Sequence, residues 1–375
     1  MPGELAGAIG AALPGLRAAM VPPPGGEADP AAAFARLASM GALRAVVPER
    51  DGGCGLGTEP AATPALATIL RRLGRADLAL ARLFEGHVNA MRLVETHAAP
   101  AVLRRVRREV AEGAVLGVWG ADGPEPLRFV ERPRGVRRLQ GTKRYASGLG
   151  LVTHAIVTAT ARADASPRML LVEAGDPARH GPGAWTASAM RATRSGVFDA
   201  TGLEAGCEAV VGEPGALMIE PHFEGGIWRY CAAHVGGAEA LAGAVRDALG
   251  ASGRLRDPLQ RARLGHALAM LEAARCTVEA AASAVEGSAG GPPERIERAV
   301  ARALLAREAV EALCVEVLAL AEKALGMAAQ DAAGPVDRIR RDLSLYLRQA
   351  APDAKLDRAV ATLCDDEPPE VGEAW

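Results

Sequence analysis

Residues 325–353 read LGMAAQDAAGPVDRIRRDLSLYLRQAAPD. Pro335 opens a helix, because a proline at the first helical position lacks only an amide proton that the helix would leave unused. The helix carries Arg341-Asp342 into a Leu/Tyr/Leu face and is expected to stop at Pro352. Between Tyr346 and Pro352 the chain has neither a carboxylate nor a histidine. What a site at the far end of this helix can do therefore depends on the rest of the chain.

Outward from this stretch the sequence falls into three blocks. Residues 1–113 read as an N-terminal helical domain. PAAAFARLASMGAL places Phe34, Leu37, Met40 and Leu43 on one face, and residues 63–97 continue with the helical period. Between them VVPERDGGCGLGT, with Gly52, Gly53, Gly55 and Gly57, is a loop that lets the backbone approach a neighbour closely. It has no phosphate-cradling spacing. Residues 114–220 change to a period of two and predict six to eight short strands, a middle β-barrel or sandwich domain. Residues 221–375 return to helices and read as a C-terminal four-helix bundle with Gly/Pro turns. Gly236, Ala240 and Gly243 form a small-residue stripe suited to close helix packing. The fold class is α+β multidomain. Helices and strands are segregated, which argues against a doubly wound sheet.

Composition narrows the function classes. The 375 residues are 49% hydrophobic and 23% charged with a net charge of -2, which gives no nucleic-acid footprint and no disorder signature. No apolar run reaches membrane-spanning length, and no basic-then-hydrophobic leader opens the chain, so a cytoplasmic location is expected. Six cysteines (Cys54, Cys207, Cys231, Cys276, Cys314, Cys364) lack metal or disulfide spacing and are expected to be buried reduced thiols. Aromatics make up only 3% of the chain, so each one is informative.

Four stretches, in order, resemble motifs of the acyl-CoA dehydrogenase family, a flavoprotein superfamily that includes flavin-dependent monooxygenases. They are GALRAVVPERDGGCGLG, LQGTKRYASGLGLVTHAIVTATA, MRATRSGVFDATGLE and LGMAAQDAAGPVDRIRRDLSLY, and they span nearly the whole chain. The resemblance implies an oxidoreductase with FAD at the seam between the β domain and the bundle, working as a homodimer or homotetramer. It implies an acyl-CoA or similar small-molecule substrate, and an electron-transfer flavoprotein or flavin reductase as partner.

By the same resemblance, Trp119, Gly120 and Ala121 of VWGAD, with Tyr145, Ala146 and Ser147 of RYAS, line the isoalloxazine ring. An aromatic face and a hydroxyl suit a flat ring with polar edges; an ordinary surface tyrosine is the alternative. Gly326 matches the glycine that approaches a partner's FAD pyrophosphate. Met327 stands where the family has a second glycine, so a side chain occupies space usually left to the cofactor.

Dehydrogenation further requires a carboxylate to take the α-proton. The family's usual position for it, eight residues after Arg-Asp, is Ala350 here. An alternative position, before an arginine on the first bundle helix, is Trp228 before Arg229. Ala350, Trp228 and Arg229 are thus expected at the substrate. The replacement candidates are Glu224, one turn before Trp228, and His87, on a helix that passes the substrate cavity in this family. Each has a simpler reading, a first-turn carboxylate favoured by the helix dipole and a core histidine. His234 is a weaker candidate on the apolar face. VWGADGP is closer to the turn of the monooxygenase branch, which also lacks the glutamate. That branch places a histidine where this chain has Arg348-Gln349. The function expected from the resemblance is an acyl-CoA dehydrogenase-like flavoprotein oxidoreductase that lacks the usual catalytic glutamate; the alternatives are a flavin-dependent monooxygenase on the same fold and a catalytically silent binding subunit.

Overall fold

The structure is a computed structural model that describes residues 1–23, 26–162, 165–181, 185–348 and 350–364. It has helical N- and C-terminal parts with a middle sheet region, and it divides into two compact units. One comprises the described residues of Met1–Leu66 and Arg82–Ile219; the other comprises Ala67–Ala81 and the described residues between Glu220 and Cys364.

The helices of the first block are α1 (Pro2–Ala19), α2 (Ala31–Ser39), α3 (Thr63–Ala76), α4 (Leu78–His97) and α5 (Pro100–Ala111). The expected continuous pattern over 63–97 is broken at Asp77. Its carboxylate accepts the amides of Ala79 at 2.8 Å and Leu80 at 3.2 Å, which caps α4 as a separate helix. The face expected to run through Leu43 also ends early. Gly41, at φ 75°, turns the chain after α2. In the glycine-rich loop a Cβ on Gly57, at φ 79°, would overlap the Val88 side chain of α4, so the close approach to a neighbouring element expected there is present.

Ten strands occur among the described residues: β1 (Leu116–Trp119), β2 (Arg128–Arg132), β3 (Val136–Gln140), β4 (Thr142–Ala146), β5 (His154–Ala159), β6 (Arg168–Glu173), β7 (His180–Gly181), β8 (Gly196–Asp199), β9 (Glu204–Ala205) and β10 (Val210–Val211). They make three sheets, ordered β1-β5-β6-β10, β2-β3-β9 and β4-β8-β7. The central strands β5 and β6 are buried along nearly their whole length, so they read as continuous apolar runs rather than alternating ones. β2 faces water and carries charge.

The second unit is built on α6 (Trp228–Ala251), α7 (Pro258–Ser288) and α8 (Pro293–Leu325), with the shorter α9 (Pro335–Tyr346) and α10 (Pro352–Cys364). Three long helices and two short ones replace the four expected. Pro352 does not end α9; it is the first residue of α10, where its missing amide proton is tolerated. Within this unit α3 and α6 cross at close range. A Cβ on Gly74 would overlap the Ala233 carbonyl, and one on Gly236 would overlap that of Arg71. Gly243, the far end of the small-residue stripe, has nothing near it.

No helix among the described residues is long and apolar enough to cross a membrane. All six cysteines are free, but only Cys231 and Cys314 are buried. The expectation of buried thiols fails for Cys207, Cys276 and Cys364, which are exposed on a turn and on polar helix faces where no core forms.

Candidate functional site

In the first unit, the end of β1 and the end of β4 are stitched together. The Arg144 amide donates to the Ala121 carbonyl at 3.0 Å, and the Trp119 indole Nε1 donates to the Ser147 carbonyl at 3.1 Å. Trp119 is buried and packs its ring on Phe198 of β8, centroids 5.0 Å apart. Gly120 and Ala121 lie exposed above it. Lys143 is buried beneath this loop. Its ammonium donates to the Gly120 carbonyl at 3.0 Å, Asp122 at 2.6 Å and the Thr158 hydroxyl at 2.8 Å. Burial holds the lysine below its ordinary range, opposed by Asp122.

The β4–β8 register is regular at Lys143 and resumes at Ala146, with an irregularity between them. Such a bulge re-aims side chains. Tyr145 takes a left-handed φ of 55°, uncommon for a residue with a Cβ, and its side chain is 56% exposed. Its ring meets Trp185 edge-on at 6.2 Å, and the Arg144 guanidinium lies 4.9 Å from its centroid. Ala146 is buried and Ser147 half-buried. An exposed ring, a hydroxyl and open backbone on an apolar floor fit a flat heteroaromatic group with polar edges. The two sequence stretches that carried the flavin expectation are therefore neighbours. Lys143, Trp185, Thr193 and Ser195 also border this site without belonging to either stretch's expected flavin contacts. Lys143, a charge on the inward phase of a strand, and Trp185, one of four tryptophans, left a sequence signal; the hydroxyls left none.

The candidate bases are placed differently from expectation. His87 is wholly buried on α4. The Leu116 amide donates to its Nδ1 at 3.0 Å, and Nε2 lies 2.9 Å from the Leu43 carbonyl, which makes Nε2 the protonated nitrogen. Desolvation pushes its pKa down to about 4. Both nitrogens are committed to backbone, so the catalytic expectation for His87 gives way to a structural clamp.

In the second unit, Glu224 accepts from Arg358 at 2.6 Å, and the same guanidinium reaches Glu220 at 3.0 Å and Glu297 at 2.9 Å. Glu224 is one member of a charge cluster tying α10 down. Trp228 and Arg229, expected at the substrate, are 1% and 2% exposed. Both donate to Glu286 of α7, at 3.2 Å and 3.0 Å. Arg229 and Glu286 form a buried ion pair to which the Trp228 indole adds a hydrogen bond, rather than a cavity wall, because α6 is covered on nearly every side. Ala350 is exposed between α9 and α10, and Gln349 lies outside the described residues. Gly326 ends α8 at φ 60°, and Met327 is 91% exposed beside it. His234 is buried between Tyr230 and Tyr346, ring centroids 5.3 Å and 4.5 Å away.

The second unit also has a groove of about 400 Å³ lined by Arg71, Arg75, Glu239, Arg246, Leu268 and Arg275, among others. Arg71 pairs with Glu239 at 2.6 Å, and Arg275 with Glu279 at 2.7 Å. Much of its positive charge is thus matched internally. No group of three potential metal-ligating side chains occurs among the described residues.

The architecture is the acyl-CoA dehydrogenase fold. Solved structures match it end to end. FMN-bound TdsC from Paenibacillus sp. A11-2, a dibenzothiophene monooxygenase, aligns with a TM-score of 0.78 at 20% identity over 98% of this chain and 97% of its own. KijD3 in complex with FMN and a dTDP-sugar aligns at 0.81 and 20%, covering 98% and 94%. Methanesulfinate monooxygenase MsuC from Pseudomonas fluorescens aligns at 0.78 and 19%, covering 98% and 96%. No protein-family model matches the sequence, and no curated protein matches it.

Proposed function

We propose that this chain is a flavin-dependent monooxygenase that receives reduced FMN from a separate flavin reductase and oxygenates a small organic molecule. The observation that carries the reading concerns proton acceptors. The two positions where the resemblance expects a carboxylate hold Ala350 and Trp228, and the candidate replacements are engaged, His87 by backbone and Glu224 by Arg358. Dehydrogenation of a thioester requires an α-proton to leave; oxygen transfer does not. The two electrons and two protons of reduced flavin let dioxygen give one atom to the substrate and one to water.

FMN is favoured over the FAD implied by the sequence resemblance. Met327 stands where that resemblance has a glycine beside a partner's dinucleotide, and its side chain is 91% exposed; FMN has no adenine arm to accommodate. The FMN complexes of TdsC and KijD3 point the same way. In this reading Tyr145 covers one ring face and Ser147 meets a polar edge. Trp119 supplies a dry floor, and Lys143 keeps the Gly120–Asp122 loop in place. Water exclusion strengthens each polar contact made there.

The test is anaerobic titration of the purified chain with oxidised and photoreduced FMN. Isotopically labelled dioxygen is then added with a panel of thioethers, sulfinates, indoles and amino sugars. Label in a product supports the proposal. Bleaching of bound flavin by an acyl-CoA without oxygen would overturn it in favour of a dehydrogenase. Failure to take up any flavin would leave the binding-subunit reading.

A further inference from the structure

Two further hydroxyls lie in a row behind that of Ser147. Ser147 Oγ is 2.9 Å from Ser195 Oγ, Ser195 Oγ is 2.8 Å from Thr193 Oγ1, and Thr193 Oγ1 is 2.7 Å from the Met190 carbonyl oxygen. A hydroxyl has one proton to give and can accept through its lone pairs. A carbonyl only accepts, so the last contact sets the direction of the whole chain. Thr193 gives its proton to Met190, Ser195 must then give its proton to Thr193, and Ser147 must give its proton to Ser195. The alternative direction would send the Ser147 proton to the Tyr145 carbonyl at 3.4 Å, close to where a hydrogen bond ceases to count. It would also take the Thr193 hydroxyl away from Met190. Ser147 is therefore left with lone pairs on its outward side.

The segment that sets this polarity is held firmly. Thr193 is 2% and Ser195 4% exposed, so water does not scramble the chain. Met190 and Arg194, which bracket it, take left-handed φ values of 54° and 50°. Non-glycine residues keep such conformations only where their surroundings over-determine them, and they cluster at functional sites. The Gly148 amide bonds the Thr193 carbonyl at 2.7 Å. On the outer side Arg191 pairs with Glu27 and Arg194 with Asp29.

We propose that Ser195 and Thr193 are positioning residues that hold the Ser147 hydroxyl as a hydrogen-bond acceptor, so that the site selects the flavin state offering an N–H at that edge, reduced over oxidised. The inference rests on the reading of Ser147 as a flavin contact. It assigns to this chain's own hydroxyls a preference for the redox state in which the cofactor arrives.

The measurement is the ratio of dissociation constants for oxidised and reduced FMN, taken anaerobically on the full chain, with the midpoint potential of bound FMN as a second readout. One hydrogen bond gained or lost corresponds to about a tenfold ratio in favour of reduced FMN. For a two-electron couple that is a rise of about 30 mV over free FMN. Ser195→Ala cuts the chain and frees Ser147 to donate, so its ratio is expected to fall to within about threefold of unity. Thr193→Ser keeps a hydroxyl and is expected to retain the wild-type ratio, which separates polarity from general damage to the loop. Equal ratios in wild type and Ser195→Ala, with flavin bound by both, would overturn this inference and leave the functional reading standing. No flavin binding by the wild type would overturn both.

Discussion

The clamp made by His87 has a pH signature that can be calculated. The imidazole is fully buried and bonded through both nitrogens, with a pKa of about 4 against 6.5 in the unfolded chain. Because the folded value is depressed, the unfolded state binds a proton below pH 6.5 while the folded state does not. Stability attributable to this residue is thus complete above pH 6.5 and declines as pH falls towards 4. At 1.36 kcal/mol per unit, the loss between pH 7 and pH 4.5 is about 2.5 kcal/mol. Other groups titrate over the same range, so the comparison is with His87→Gln, whose amide can give one hydrogen bond and accept another without titrating. The assay is urea unfolding of both proteins at half-unit pH steps, with the slope against urea checked for constancy. The wild-type-minus-variant difference is expected to fall by about 2.5 kcal/mol on going to pH 4.5. A flat difference would refute the clamp and return His87 to the list of groups able to take a proton.

Lys143→Met keeps most of the side-chain volume but removes three hydrogen bonds from a charged donor, offset by relief from burying that charge; about 2 kcal/mol of destabilisation is expected in urea unfolding, with weakened FMN binding at temperatures where the fold persists. Glu286→Gln leaves Arg229 as a buried unpaired charge and is expected to cost about 3 kcal/mol. The double change Arg229→Met with Glu286→Leu should recover most of that loss, and failure to recover would argue that the pair does more than neutralise itself. Gly236→Ala drives a methyl into the Arg71 carbonyl and should destabilise by about 1–3 kcal/mol. Gly243→Ala meets nothing and should leave the thermal midpoint unchanged or raise it. Met327→Gly removes a side chain that is almost fully exposed, so it should cost no more than glycine's backbone entropy, about 1 kcal/mol; a tighter FAD complex by calorimetry would support Met327 as the feature that disfavours the dinucleotide.

Much of the architecture was legible because period and punctuation are local properties. The order of helical N-terminal part, middle sheet region and helical C-terminal part follows from which side chains must face a core, although the central strands β5 and β6, buried on both faces, do not alternate. Pro335 marked the start of α9 because proline's missing amide proton is tolerated only there. Motif order along the chain was likewise readable, and it named the two stretches that the structure stitches together through Arg144 and Ala121. The same local logic missed the helix break at Asp77, since a capping carboxylate inside an amphipathic pattern looks like one more exposed charge.

Three-dimensional packing decided the rest. Trp228 and Arg229 were expected at a substrate, yet they meet Glu286 fifty-eight and fifty-seven positions away, and no spacing rule connects residues on different helices. His87 lost its standing as a base only when Leu43 and Leu116 took its two nitrogens. The left-handed turn at Tyr145 and the polarity of the Ser147 hydroxyl depend on a register irregularity and on a carbonyl forty-three residues away. Sequence by itself determined which elements form and roughly in what order, since each element answers to its own side-chain pattern. Only the tertiary structure decided which polar groups are already satisfied and which remain to meet a ligand, because a hydrogen bond depends on atoms that distant parts of the chain bring within about 3 Å.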